Sequence, residues 1–314
     1  MQVSFVIPLF NGLPLTRAMV ASLQASLPAG LTHEIILVDD GSTDGTREWL
    51  ARLSAPFQVV LNERNLGYAG ANNRGAEIAR GEILALLNND LLLPPGWIKP
   101  LLAAHRRLGS RAGLVGNVQL SVATGAVDHA GLALHLKGKL EHIRTLPIPL
   151  FRLLFPVQSV GAVTGACMLL DRALWQELGG FDEGFINGSE DVDLCLRALN
   201  AGRVNVVVLR SVVRHHVSAS LGRKVHDEEN TYRFTRQWRH ELRRLVDRAW
   251  CWRYLEANWP EMRDPASHAT ARQMLAYILH LRSTPPSEAL LALDAAIDSE
   301  MVRWQEMFGS PPRT

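Results

Sequence analysis

Between Val3 and Asp90, four apolar, β-branched-rich runs alternate with three stretches of helical character, and few folds accommodate that order. The runs are VSFVIPLF (3–10), EIILVDD (34–40), FQVVLNE (57–63) and EILALLNND (82–90), with helix-like stretches at 16–27, 44–53 and 69–80. Strands that are nearly continuously apolar must be buried on both faces, and helices between them supply the cover. The pattern therefore predicts an α/β protein with a mainly parallel central sheet flanked by helices. Ligands of such sheets gather beyond the carboxyl ends of the strands. That rule sets Pro8 to Asn11, Asp39 to Ser42 and Asn88 to Asp90 along one rim.

Each rim segment has a structural and a chemical reading. In VDDGSTDGT, Asp44 or Ser42 can cap the following helix by accepting its free N–H groups. Capping needs only one acid, so Asp39 and Asp40 are left for another use, and Asp39 suits the imide N–H of a uracil or thymine ring. NERNLGYAGANNRGAEIARG (62–81) has glycines for close backbone approach and runs into a helix start, but it is neither a Walker loop nor GxGxxG. Asn73 and Arg74 are donors toward a ligand or a solvated helix face. Farther along, GGFDEGFINGSEDVDLCLRALNAG (179–202) places Asp182, Glu183, Glu190 and Asp191 around a glycine-rich loop, with Asp193 at a helix start. Acids favour helix N-termini, yet one suffices, and a carboxylate at the lip of a cleft is what general-base chemistry on a hydroxyl requires. In VVRHHVSAS (212–220), His215 and His216 end a strand; with Asp90 they permit a mixed imidazole–carboxylate metal site.

Composition narrows the classes. With 314 residues, 47% hydrophobic and 20% charged, the chain suits one large domain plus an appendage, or two domains. A net charge of +2 gives no bulk preference for nucleic acid or for an anionic membrane. Cys167, Cys195 and Cys251 have no metal-type spacing, and an odd count argues against a disulfide framework. The sequence opens directly on a strand, without a secretory signal pattern. No run of 18 apolar residues occurs; the nearest, LPIPLFRLLFPV (146–157), is broken by three prolines and Arg152. A soluble, cytoplasmic protein is expected.

Taken in order, VIPLFN, ILVDDGSTDGT, NLGYAGANNRG, LALLNNDLLLPPGW, GACMLLDRALWQELGGFDEGF, EDVDLCLRALNAG and HHVSAS closely resemble family 2 glycosyltransferases, and most of all the bacterial rhamnosyltransferase-like branch of surface-polysaccharide assembly. The resemblance spans residues 1–222. It implies a GT-A fold with a Rossmann-like nucleotide-binding half, and an inverting single displacement from a UDP- or dTDP-sugar, rhamnose among the candidates, to a saccharide, lipid-linked or protein acceptor. By the same resemblance Asp39 contacts the base, and Pro8, Phe10 and Asn11 lie beneath the nucleotide. Asn73, Asn88 and Asn89 complete the donor site. The DXD motif falls on Asn88-Asn89-Asp90, so Asp90 binds a divalent metal, Mg2+ or Mn2+, together with His215, or with His216 if the doubled histidine shifts the register. Asp191 is the general base, and Asp182, Glu183 and Glu190 border the acceptor. Asn88 departs from the older pattern, which has an acid there, and the site loses one charge.

Residues 1–224 are expected to form the catalytic domain and 225–314 a helical extension. In the extension, Phe234, Trp238, Leu242 and Leu245 recur at helical spacing with arginines on other faces. Further helices are expected at 266–282 and 287–308, and GSPPRT as a frayed tail. A helix packed on its neighbours is the plainer reading of the arginine-rich stretch; peripheral contact with the inner face of a membrane, and pairing as a homodimer, stay open. Nucleic acid is not an expected partner. Two rivals were weighed. A sugar nucleotidylyltransferase needs a glycine-rich, basic loop after the first strand, and IPLFNGLP is not one. A non-catalytic sugar-nucleotide-binding or scaffold protein has no need of Glu190, Asp191 and the histidines together.

Overall fold

The computed structural model describes residues 2–216 and 226–309. They divide into two compact units, residues 1–132 with 142–226, and residues 133–141 with 227–314.

The first unit opens with β1 (Val3–Leu9), α1 (Leu13–Ser26), β2 (His33–Asp39), α2 (Thr46–Leu50), β3 (Phe57–Leu61), α3 (Gly67–Ile78) and β4 (Ile83–Leu87). β1 lies between β2 and β4 and pairs in parallel with both; β3 adds in parallel to β2. Alternate residues of each strand serve opposite faces. Phe5, Ile7 and Leu9 pack in one cluster with Met19, Val20 and Leu23 of α1, whose spacing of three and four residues makes one buried helical stripe. Val6 and Val38 point to the other face, where α3 rides so close that a Cβ on Gly75 would lie 2.4 Å from Val6 Cγ1. Large apolar side chains buried in this way each contribute about 1.5–3 kcal/mol.

From β4 the chain runs on through β5 (Leu91–Leu92), α4 (Ile98–Leu108), β6 (Ala112–Ser121), β7 (Val127–His129), β8 (Leu132–Leu134), β9 (Leu140–His142), α5 (Pro149–Leu154), β10 (Val157–Ser159), β11 (Cys167–Asp171), α6 (Arg172–Leu178), α7 (Glu190–Asn200) and β12 (Val204–His215), of which β8 and β9 pair with each other in a separate two-stranded sheet. The order across the main sheet is β10-β12-β6-β11-β4-β1-β2-β3. β12 runs parallel to β6, whereas β11 is antiparallel to both its neighbours. Nothing in an apolar run buried on both faces marks its direction.

One departure from the expected elements positions the site. The strand expected over 82–90 stops at Leu87, and Asn88 turns out of it, its N–H donating to Ala166 O at 2.9 Å. After this turn β5 pairs with the end of β12, placing His215 opposite Leu91. The turn and the end of the last strand are thereby side by side.

The second unit holds α8 (Asp227–Leu242), α9 (Arg248–Asn258), α10 (Pro265–Ile278) and α11 (Ser287–Phe308). Phe234, Trp238 and Leu242 are buried as their spacing predicts, around Trp250 and Trp304, which are fully enclosed. α10 ends at Ile278, short of the expected 282, and His280 turns the chain away at a φ of 61°. No described helix is long and apolar enough to cross a membrane. The expected boundary after residue 224, the serines of HHVSAS, and the last five residues of the expected tail lie outside the described residues.

Candidate active site

The loops after β1 and β2 are stitched together at the rim. Asn11, at a left-handed φ of 55°, donates its N–H to Ser42 Oγ and accepts from Thr43 N, both at 2.8 Å. Asp44 accepts from Thr46 N at the start of α2 and, with its other oxygen, from Leu13 N at the start of α1. The capping reading thus holds for Asp44 at two helices, while Ser42 is spent on Asn11.

The two aspartates ending β2 differ in surroundings. Asp39 is fully buried; Oδ2 accepts from Arg47 Nε at 2.7 Å and from the N–H groups of Gly41 and Ser42, while Oδ1 has no hydrogen-bond partner. Asp40 accepts from Asn62 Nδ2, Leu66 N and Gly67 N, and so fixes the glycine-rich loop at the start of α3. Burial pushes the Asp40 carboxyl up from its ordinary value, against those hydrogen bonds.

At the turn after β4, Asp90 is nearly enclosed. His215 Nε2 lies 3.2 Å from Asp90 Oδ1, but without hydrogen-bond alignment, so both atoms are buried and unpartnered; Asn88 Oδ1 is likewise unpartnered. Of the doubled histidines, His215 faces Asp90 with its ring, whereas His216 meets Asp90 through its backbone N–H. On the far side of the His215 ring, Asp128 Oδ2 is 3.7 Å from Nδ1. His129 follows, stacked edge-on against His142 with 3.0 Å between their Nδ1 atoms. Burial, with the adjacent His142 and His215, holds the His129 imidazole well below its ordinary value. Asn89 donates to Thr16 Oγ1 at 2.9 Å and anchors the turn to α1.

Opposite in sequence, the loop before α7 carries Asn187 and Ser189 at φ of 53° and 74°, a conformation costly for residues with a Cβ and found where a site dictates the backbone. It delivers Glu190 and Asp191 to the first turn of α7. Asp191 Oδ2 accepts from Gly165 N at 2.7 Å and Oδ1 from Val192 N at 2.8 Å. Glu190 accepts from Gly188 N at 2.6 Å. Tyr68 ties α3 to this corner, its hydroxyl donating to Gly165 O and its N–H to Asn187 Oδ1.

A cavity of about 510 Å³ opens here, within the usual range for small-ligand sites. Pro8, Phe10, Asn11, Asn88, Asn89, Asp90, Glu190 and Asp191 all line it, and Phe10 is half exposed at its mouth. Asp39 lies behind the lining, where Asp40 is the wall. Three expected contacts are placed differently. Asn73 is consumed in a clasp: its amide donates to Phe181 O and Glu183 Oε1, and its oxygen accepts from Phe181 N, which leaves a ligand nothing strong to bind. Asp182 and Glu183 stand outside the cavity, the first accepting from Gly184 N in its own turn and the second on Asn73. The sequence sets Asp40 apart from capping but predicts no role for it, nor for Tyr68, Thr164, Gly165 and Asn187 of the lining or Asp128 behind His215. Asp40, Tyr68, Gly165 and Asn187 lie within VDDGSTDGT, NLGY, GA and the glycine-rich loop of 179–202, which carry the motif pattern, whereas Thr164 has no such signal. Asp128 stands in a three-residue strand with no signal of its own.

Residues 4–176 match the profile described as Glycosyl transferase family 2. Over 235 residues the chain is 31% identical to an N-acetylglucosaminyl-diphospho-decaprenol L-rhamnosyltransferase of Mycobacterium tuberculosis, covering 67% of this chain and 74% of that protein. It is 33% identical over 237 residues to the O-antigen biosynthesis protein RfbC of Myxococcus xanthus, covering 70% of this chain. The chain spans only 18% of that relative's length, and 28% of another long relative from Sinorhizobium fredii. Among solved structures, GalNAc-T7 with UDP, GalNAc and Mn2+ superposes with a TM-score of 0.61 at 18% identity, over 99% of this chain and 59% of that one.

Proposed function

Because the chain belongs to glycosyl transferase family 2, we propose that it moves a sugar from a nucleoside diphosphate donor to an acceptor hydroxyl by a single inverting displacement. The fold is GT-A. On this reading residues 1–224 are the catalytic domain and 225–314 a helical extension, and the protein works in the cytoplasm on cell-surface polysaccharide or glycoconjugate.

One observation carries the proposal: Asp90, in the turn between β4 and β5, and Asp191, in the first turn of α7, border the same cavity. Inverting transfer needs two charge-handling sites with separate duties. One faces the departing diphosphate; the other takes the proton of the incoming hydroxyl. Asp191 is suited to the second duty because two N–H donors fix its orientation while it remains only partly buried at the cavity wall. Asp90 and His215 are suited to the first, as their facing atoms are buried without partners, which is costly unless something else satisfies them. Among the described residues no three His, Cys, Asp or Glu side chains are grouped to hold a metal. The Asp90 carboxylate and the Asn88 carbonyl at the cavity wall, with the His215 imidazole behind Asp90, are nevertheless of the donor types that Mg2+ or Mn2+ takes, and these residues would hold the ion. When bound, such an ion offsets the charge that develops on the leaving group.

The unpartnered Oδ1 of Asp39 supports a base with an imide N–H, hence a UDP- or dTDP-sugar, and the mycobacterial relative makes rhamnose and a lipid-linked acceptor the first choices. Pro8, Phe10 and Asn11 would floor the nucleotide site, and Glu190 would border the acceptor. The test is product analysis of the purified protein with UDP-, dTDP- and GDP-sugars, Mn2+ and candidate acceptors. Release of nucleoside diphosphate with an inverted glycoside supports the proposal. Pyrophosphate would make the protein a nucleotidylyltransferase, and donor binding without either product would make it a binder.

A further inference from the structure

The segment LPIPLFRLLFPV finds no use in the catalytic reading. Its helix α5 is only six residues long, opened by Pro149 and followed by Pro156. Ile148, Leu150, Phe151, Leu153, Leu154 and Phe155 crowd onto it, and each is between 41% and 69% exposed. Scattered exposed leucines are ordinary, but six large apolar side chains within eight residues form a contiguous patch of the kind that marks a binding surface. Phe151 and Phe155 pack ring to ring at 4.8 Å within it.

Its charge chooses the partner. From His142 to Leu170 the sequence has no Asp or Glu, while Arg144 and Arg152 flank or interrupt the apolar run. A third cation, the exposed Arg210, donates to Leu153 O at 2.8 Å and is held against the C-terminal turn of the helix. An apolar helix that carries Arg152, is held by Arg210 and sits in an acid-free stretch of sequence matches the interface of a bilayer with anionic headgroups, where apolar side chains enter the acyl boundary and cations meet phosphate. A second copy of this face is a poor match, since a self-complementary pairing would offer these arginines no acid from the same stretch.

We propose that α5 and its flanks dock the first unit onto an anionic phospholipid membrane. The inference deepens the cytoplasmic location proposed above by naming a surface and a partner, and it does not depend on the reaction. The local patch is compatible with a net charge of only +2, because its positive balance comes from the absence of acids between His142 and Leu170 and not from an excess of arginines.

The test is flotation of the full chain with vesicles of phosphatidylglycerol and phosphatidylcholine, free of polyprenyl lipid, against pure phosphatidylcholine. The chain should float with the anionic vesicles and release as salt is raised. The triple variant Leu150→Ser, Phe151→Ser, Leu154→Ser should lose at least about tenfold in vesicle affinity, with an unchanged melting temperature and unchanged donor hydrolysis in solution. Equal flotation of variant and parent would overturn the proposal, as would failure of the parent to bind. Binding that appears only when polyprenyl phosphate is added would also overturn it and assign the patch to a lipid acceptor. A parent dimer that the triple variant converts to monomer, without vesicle binding, would assign it to self-association. Donor turnover in the same preparations reports on the catalytic reading separately, so failure of one leaves the other standing.

Discussion

His215 Nε2 and Asp90 Oδ1 approach to 3.2 Å yet are not aligned to hydrogen-bond, and both are buried. Two buried polar atoms this close and without a hydrogen bond are costly unless a third partner satisfies them. If that partner is a divalent ion, His215→Ala should raise the Mn2+ concentration for half-maximal donor turnover by roughly 10–100-fold, the usual penalty for weakening a metal site. EDTA should abolish turnover by the parent protein, and added Mn2+ should restore it. A metal titration with identical midpoints for parent and variant would remove the ion from this pair.

Asp191→Asn keeps the size of the side chain and can still accept from Gly165 N, but it cannot take a proton at neutral pH. Sugar transfer should fall by about 10²–10⁴, the typical contribution of a general base. Donor affinity, measured by calorimetry, should stay near that of the parent, because Asp191 is assigned to the acceptor and not to the nucleotide. Transfer at the parental rate would show that another group takes the proton.

Asn73 separates a structural from a ligand-binding role. Its side chain pairs with both backbone groups of Phe181, and removing it leaves those groups without their partner. Asn73→Ala should therefore cost about 1–3 kcal/mol in denaturant unfolding, with a KM for the donor sugar close to the parental value. A raised KM without loss of stability would return Asn73 to the nucleotide site.

The contrast between Asn73 and Asp90 marks how far the sequence could be read. The parallel half of the sheet, its rim and the apolar stripe of α1 are local patterns, visible in the spacing of Phe5, Ile7, Met19 and Leu23. Asp90 and Asp191 were legible because each closes a motif of fixed order. What a polar side chain does inside its motif depends on distant partners: Asn73 meets Phe181 and Glu183 across 108 and 110 residues, and Asp40 meets Leu66 and Gly67. Asp128 stands behind His215 only because β7 pairs with β6, and β6 with β12. The direction of β11 was equally hidden, since an apolar run buried on both faces reads the same either way.

Gly75 shows which kind of close approach a glycine in NNRGAEI serves. A Cβ there would meet Val6 Cγ1 at 2.4 Å and Val38 Cγ2 at 2.8 Å, so the glycine lets α3 settle on the sheet. Gly75→Ala should destabilise the protein by about 1–3 kcal/mol through overpacking, despite the better helix propensity of alanine. Thermal melts of parent and variant test this. A stability gain would mean that α3 can lift from β1 and β2 at little cost.

In the helical unit, Glu228 is the acid whose titration should be felt. Burial acts to raise its pKa, but hydrogen bonds from Trp304 Nε1 at 2.5 Å and Arg303 at 2.7 Å, with the charges of Lys139 and Arg303, outweigh it and bring the carboxyl from 4.5 to about 2. A folded-state pKa below the unfolded value means that the stabilisation is complete above about 4.5 and is lost as pH falls toward about 2. The carboxylate is about two-fifths exposed, so solvent screens part of the effect. Glu228→Gln should lower the melting temperature at pH 7, with the difference from the parent shrinking through the acid range and vanishing near pH 2. Circular dichroism melts at a series of pH values measure this convergence. A gap that stays constant down to the lowest pH would show that shape, and not charge, sets the contribution of Glu228.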